Sequence, residues 1–481
     1  MNIAIIQSYN LVIFGIKGDL SRRKLIPALY QLEEYNYLHK NTRIIGIARG
    51  NLKYENYIQI ILQSLKTFYK KKIKLISWNR FKNRLIFFNL DICKIQKFFK
   101  LKNILLQNNN TNIYYLAVPP NKFSNICEGL GKIEYNIIPN RIIVEKPIGT
   151  SLYSSKKINH KIGKYFKEKQ IFRIDHYLGK ETILNLLALR FSNPLFYNNW
   201  NYKTVKYIKI IIAEKVGIEG RWGYFDKIGQ MRDMVQNHLL QILSIIAMSP
   251  PKTLTDQHIQ EEKIKVLKKL RKIDINNITQ NTLIGQYDSG IIDGKFVPSY
   301  LNERDANKNS QTETFVSIKT YIDNDQWKNI PFYLTTGKRL FDKKSEIIIC
   351  FKNISKNLFK NNSKNILKIR LEPNEGIEIN FLNKVPDLNS KYTLENQKLN
   401  FNYRSKIKQN NISDAYEKLL LESMKNNQTL FVSKQEIEAS WIWVDSIINA
   451  WSHTNTKPTL YKSGSWGPNL HQNFMKMNYD I

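Results

Sequence analysis

Cysteine is scarce: three residues in 481, Cys93, Cys127 and Cys350, lie far apart with no CxxC pair. That spacing excludes a disulfide framework and a cysteine-rich zinc site, and it suits a reducing cytosol; no metal site is read. Long apolar runs are missing too. A membrane span needs about 18 apolar residues, and the richest stretch, residues 239–248, is shorter and interrupted by Gln241 and Ser244. No Lys or Arg precedes Lys17, so the charged start of a signal peptide is absent and the expected location is cytoplasmic. Acidic residues are the third shortage, 40 against 74 Lys and Arg, which leaves a formal charge of +34. A basic nucleic-acid binder is one reading of that excess. The lysines, however, are scattered beside abundant Asn and Ile, as in LKTFYKKKIKLISWNRFKNRL. All three residue types have A/T-rich codons, so compositional drift is the preferred account. No specific nucleic-acid partner and no membrane partner are expected, although a positive field would attract phosphorylated metabolites.

What is present is ordinary for a globular chain: 42% hydrophobic and 24% charged residues, which rules out wholesale disorder. The length suits about three units of roughly 150 residues, or two large ones. Residues 11–14 (LVIF) read as a buried strand ending at Gly15, and residues 20–38 follow at helical spacing, with Pro27 in the first turn. Further strands are expected at 43–48, 85–88, 113–118 and 141–144, with helix-compatible segments between them. That alternation indicates a parallel, Rossmann-like α/β sheet. Beyond residue 173 a helix is expected at 182–191 and an alternating strand at 205–212. The β-type runs 314–321, 346–351, 366–371 and 376–381 follow. They suggest a larger α+β domain on a mainly antiparallel sheet with helices. The fold is therefore read as α/β plus α+β, divided into 1–175 and 176–481. Residues 352–365 read as an exposed loop or local disorder, and there is no internal repeat.

The segment GIKGDLS (15–21) lies between a strand and a helix. Its GxxG spacing is not the usual GxGxxG, and a plain tight turn fits it equally. Glycines there would let the backbone approach a pyrophosphate, with the N–H groups of the next helix turned to it. The second strand ends Ala48-Arg49-Gly50. An acid there would hold the ribose hydroxyl of NAD, whereas a guanidinium can grip a 2′-phosphate, so NADP is favoured. A solvated strand-end charge is the plain alternative.

The stretch RIDHYLGKE (173–181) gathers acids, a histidine, a tyrosine and a lysine around one glycine. If a helix begins near His176, Lys180 lies one turn on and both face the same side, suited to a phosphate dianion. Downstream, GYFDKIGQMRDMVQNH (223–238) places Asp233 and His238 before a strongly apolar helix. With VIFGxxGDLSRRKLIPALYQL, VEKPIG, PFYLTTGKRL, DAYEKLLLESMKNNQTLFV and GSWGP, these segments closely resemble the glucose-6-phosphate dehydrogenase family, of the NADP-dependent bacterial type. The resemblance runs through essentially the whole chain in family order. RIDHYLGKE is highly specific to the family, whereas EKP also occurs in other sugar oxidoreductases.

The resemblance implies oxidation of glucose 6-phosphate to 6-phosphoglucono-δ-lactone with reduction of NADP+, the first step of the oxidative pentose phosphate pathway. His238 matches the general base that takes the anomeric hydroxyl proton, and Asp175 the carboxylate that orients it. A free imidazole titrates at about 6.5, near the working pH. His176, Tyr177 and Lys180 match the pocket for the 6-phosphate. Glu214, Asp233, Lys338 and Lys343 match further substrate contacts, and Lys146 a lysine near both cofactor and substrate, with Pro147 shaping the backbone there. Gly15, Ile16, Lys17, Gly18, Asp19, Leu20, Ser21, Arg22, Arg49, Asp91 and Ile92 match cofactor contacts, and Lys24 is a further candidate to reach the active site. A homodimer or homotetramer formed through the second domain's sheet is also implied.

Three residues depart from the family pattern. Ile16 and Lys17 stand where small residues are usual. Lys17 would strengthen NADP binding, or Ile16 would crowd the pyrophosphate. Trp222 replaces a small residue before GYFD and puts the packing of that loop in question. The rivals are another Rossmann-type sugar oxidoreductase and a basic nucleic-acid-binding protein.

Overall fold

The computed structural model describes residues 7–108, 110–354, 358–359, 364–386, 393–403, 414–471 and 474. It divides into two units. The first comprises the described residues through Gly179 with Thr253–Gln260 and 414–438, and the rest form the second.

Six parallel strands make the sheet of the first unit: β1 (Tyr9–Phe14), β2 (Arg43–Ala48), β3 (Leu85–Asn89), β4 (Thr111–Leu116), β5 (Arg141–Val144) and β6 (Ile171–Arg173). Their order is 3-2-1-4-5-6, the doubly wound arrangement in which ligands bind beyond the carboxyl ends of the strands. Every residue of β1 is buried, because crossover helices cover both faces of a parallel sheet. Full burial of each large apolar side chain is worth about 1.5–3 kcal/mol, so the strand gives the loop after it a rigid root.

That loop leads into Ser21–Leu25, a π-helical stretch, and then the α-helix Ile26–Glu34. The helix expected to reach residue 38 stops at Glu34. Pro27 sits just after the wide turns rather than at a free helix start. A proline lacks the N–H of a regular ladder, and a π stretch is where such a mismatch can be absorbed.

The second unit is built on a ten-stranded sheet whose strands are β7 (Val205–Ala213), β8 (Thr282–Ile292), β9 (Lys295–Val297), β10 (Phe315–Thr320), β11 (Phe332–Gly337), β12 (Lys344–Phe351), β13 (Ile366–Glu372), β14 (Gly376–Lys384), β15 (Leu394–Asn402) and β16 (Thr459–Ser463). The order is 15-14-13-12-7-11-10-8-16, with β9 paired to β8. Most pairs are antiparallel, but β7 with β11 and β8 with β16 are parallel. In β7, Tyr207, Ile208, Ile210 and Ile212 are buried while the lysines between them are partly exposed, the alternation of a strand with unlike faces.

Of residues 352–365, 355–357 and 360–363 lie outside the described set. Ile354, Leu358 and Phe359 beside them are exposed, outside any strand or helix. All three cysteines are free. No helix among the described residues is long and apolar enough to cross a membrane.

Candidate active site

The cofactor candidates of the first unit lie just beyond the carboxyl ends of three neighbouring strands: Gly15 to Arg22 after β1, Arg49 after β2, Asp91 and Ile92 after β3. Gly15 has φ +92°, and a Cβ there would stand 2.3 Å from the Ala117 carbonyl oxygen; only glycine fits. The turn is closed by Gly18 N–H on the Gly15 carbonyl (2.9 Å), which also accepts from Ser21 Oγ (2.9 Å). The helix that follows then opens at the loop, as an anion cradle requires.

The Ile16 side chain is buried over Gly46, where an added Cβ would meet it at 2.9 Å: a glycine in β2 makes room for the larger residue. Lys17 reaches the end of β2, its Nζ donating to the Arg49 carbonyl at 3.2 Å. The Lys17 ammonium group and the Arg49 backbone thus meet at the end of β2 beside the glycine turn, and the residues present fit NADP. Asp19 is turned to Arg23 (2.5 Å) and Arg22 donates to Ser64 (3.3 Å), so neither side chain points at the loop's centre. Asp91 accepts from the Cys93 N–H at 3.1 Å.

The other first-unit candidates collect around Tyr416, a residue the sequence reading passed over inside DAYEKLLLESM. It belongs to the helix Ala415–Met424, capped by Asp414 through the Tyr416 N–H (3.0 Å). Its ring lies 6.5 Å from that of His176, nearly parallel, and Lys24 approaches the same ring while pairing with Asp414 at 3.6 Å. Glu145, immediately before Lys146, accepts from Tyr115 at 2.5 Å. Complete burial pushes the Glu145 carboxyl up to about 7, against the opposing pull of Tyr115, Lys146 and Tyr416.

Asp175 is buried, and its Oδ1 accepts from the Tyr177 N–H at 2.9 Å. The helix expected from His176 is not there. Residues 176–179 form a turn closed by Leu178 N–H on the Asp175 carbonyl (3.1 Å), and the helix is Glu181–Ser192. The Asp175 carboxylate closes the start of this turn by taking the Tyr177 N–H, a local bond that does not need a helix to follow.

In the second unit His238 lies inside a helix rather than before one. Residues Met231–Leu239 are π-helical and run straight on into Leu240–Ala247. The wider i→i+5 turn brings residues five apart, such as Asp233 and His238, nearer to one face than an α-helix would, and such turns are frequent at functional sites. Gly229, φ +71°, breaks this helix from Trp222–Gln230, where a Cβ would collide with the Glu313 carboxylate at 2.4 Å. Glu313 Oε1 accepts the Met231 N–H (3.0 Å) and so caps the π stretch. At the far end Arg190 donates to the Met248 carbonyl (2.6 Å), fixing the helix from inside the core; burial pulls that guanidinium down to about 9.

Glu214 and Lys338 are neighbours by register: Ala213 of β7 pairs with Gly337 of β11, so the next residue of each strand emerges side by side. Lys338 Nζ donates to Glu214 Oε2 at 2.7 Å, with the lysine buried. Lys180 and Lys343 share one carboxylate that the sequence reading missed. Glu372, the last residue of β13, accepts from Lys180 at 2.9 Å through one oxygen and from Lys343 through the other. Partial burial alone would raise this carboxyl, but the two ammonium groups outweigh it and hold it at about 2. Trp222 is packed in the core: its indole stacks at a tilt on Tyr300 and donates to the Tyr300 carbonyl at 3.2 Å.

Two family profiles match along the chain: "Glucose-6-phosphate dehydrogenase, NAD binding domain" over residues 12–185 and "Glucose-6-phosphate dehydrogenase, C-terminal domain" over 187–480. The chain belongs to the glucose-6-phosphate dehydrogenase family. Within that family, it is 56% identical over 467 residues to a glucose-6-phosphate 1-dehydrogenase of Buchnera aphidicola subsp. Schizaphis graminum, covering 96% of this chain and 95% of that one. The enzyme of Dickeya dadantii is 51% identical over 466 residues, with the same coverage. A solved structure of glucose-6-phosphate dehydrogenase in complex with its substrate glucose-6-phosphate matches at TM-score 0.92 and 32% identity, covering 100% of this chain and 99% of that chain. Neither rival reading is favoured beside these matches.

Proposed function

We infer that the chain oxidises D-glucose 6-phosphate at carbon 1 to 6-phospho-D-glucono-1,5-lactone, with NADP+ reduced to NADPH. This is the first step of the oxidative pentose phosphate pathway. The observation that carries the reading is a glycine-built cradle and a pair of lysines collected round one carboxylate, in a chain that matches the family along its length.

NADP+ supplies the hydride acceptor. The backbone of Gly15 to Arg22, including Ile16, would hold its pyrophosphate, Arg49 with Lys17 its 2′-phosphate, and Asp91, Ile92 and Lys146 its remaining contacts. His238 is the proposed general base, taking the proton of the C1 hydroxyl onto its imidazole as the carbonyl forms. Asp175 is the proposed carboxylate that orients this imidazole and stabilises its charged form. His176, Tyr177 and Lys180 are proposed for the 6-phosphate, with Lys343. Glu214 and Asp233 accept from sugar hydroxyls, and Lys338 supports Glu214. An N-terminal cofactor domain, a C-terminal substrate and assembly domain, a homodimer or homotetramer, and a cytoplasmic location complete the proposal.

The test is NADPH absorbance with glucose 6-phosphate and with free glucose, each supplied with NADP or NAD. Rapid formation is expected only with the phosphorylated sugar, and faster with NADP. Equal efficiency with free glucose would remove the phosphate pocket from the account.

A further inference from the structure

Glu372 has no task in the reaction as described, yet it holds two residues that do. Its carboxylate closes β13 with each oxygen on a different ammonium group, Lys180 on one and Lys343 on the other. The site is not a core ion pair: the Glu372 side chain keeps 29% of its surface and Lys343 58%. Two neighbouring cations have carboxylates of their own, Lys344 with Glu346 at 3.1 Å and Arg370 with Glu378 at 3.3 Å. Two ammonium groups share that one carboxylate. A phosphate dianion, with two charges and three terminal oxygens, satisfies that pair better than a single carboxylate does.

We propose that Glu372 is an internal counter-anion of the phosphate site, which keeps Lys180 and Lys343 together and must be displaced by the arriving 6-phosphate, so that it sets the affinity for the phosphorylated sugar. It is a specificity-determining and positioning residue, not a catalytic one. The proposal rests on the reading that Lys180 and Lys343 take the phosphate.

Glu372→Gln keeps the length and removes the charge. Steady-state rates are measured with glucose 6-phosphate and with free glucose, and inorganic phosphate is titrated as a competitive inhibitor. Removing a competitor held by two partly exposed pairs is expected to lower KM for glucose 6-phosphate and the phosphate inhibition constant by about 3- to 10-fold. KM for free glucose should hold, with kcat moving less than KM. Unchanged or raised values for both phosphate readouts, in Glu372→Gln and in Glu372→Met, would overturn the proposal and leave Glu372 a scaffold. Lys180→Ala and Lys343→Ala separate the two failures. If they weaken glucose 6-phosphate while Glu372→Gln does not strengthen it, only the counter-anion is lost. If they leave the preference for phosphorylated over free sugar unchanged, the phosphate reading falls and the counter-anion falls with it.

Discussion

In the first unit the candidate cofactor contacts are close in sequence and made largely of backbone: one loop from Gly15 to Arg22, then Arg49 and Asp91 at the ends of the next two strands. In the second unit the candidates Lys180, Glu214, His238, Lys338 and Lys343 come from different elements and are proposed to act through their side chains, held by partners such as Glu372, Glu313 and Arg190. The contrast explains which departures the chain tolerates. Ile16 and Lys17 send their side chains away from that backbone turn, one buried and the other on the Arg49 carbonyl. Where the side chain itself is proposed to do the chemistry, no such freedom is expected.

The sharpest test of the contrast is His238→Asn. Loss of a general base should lower kcat by about 100- to 10,000-fold, with KM for glucose 6-phosphate little changed; a steady-state rate within tenfold of the parent would break the assignment. Next comes Gly15→Ala. The strain of a positive φ, with a Cβ 2.3 Å from a carbonyl oxygen, should weaken NADP by about 10- to 100-fold, whereas Lys17→Ser should shift it by less. Titration of NADP by protein fluorescence reads both, and a larger loss for Lys17→Ser would reverse the backbone argument. Arg49→Ala should then reduce the preference for NADP over NAD by about tenfold, the worth of one charge-assisted contact; an unchanged ratio of kcat/KM values removes Arg49 from the 2′-phosphate.

The smallest effect contrasts two strand-end carboxyls shifted in opposite directions. Glu145, raised by burial to about 7, is protonated in the folded chain over a pH range where the unfolded chain has already ionised. Its contribution therefore falls as pH rises from about 4.5 to about 7. Glu145→Gln should flatten the pH dependence of Tm across that window and gain on the parent towards its upper end. Glu372, lowered to about 2, works the other way: its contribution is complete above about 4.5 and is lost on acidification towards 2. Thermal melts from pH 4 to 8 that show no change of slope for Glu145→Gln would mean that Glu145 ionises normally.

Much of the first unit was readable because its signals are local. A continuous apolar run followed by glycine defines a covered parallel strand and its turn, and LVIF-G lies where that reading puts it. The larger sheet was legible only in part. Alternation marked β7 and β-type runs marked β10, β12, β13 and β14, while β8 carries Gly285, Gln286 and Asp288, β16 is short, and β11 was noticed as a motif rather than as a strand. The two parallel pairs inside a mainly antiparallel sheet have no local signature, since pairing direction depends on distant segments.

Strand patterning was enough for the fold class, and the resemblance carried by RIDHYLGKE, RDMVQNH and the other segments for the family, because these depend on near neighbours along the chain. The π-helical setting of His238, the room for Ile16 over Gly46, the return of the Tyr416 helix to the first unit and the grip of Glu372 on two lysines were decided by the tertiary structure. Each depends on residues far apart in sequence being packed to within a few ångströms, a constraint that no stretch of chain carries alone.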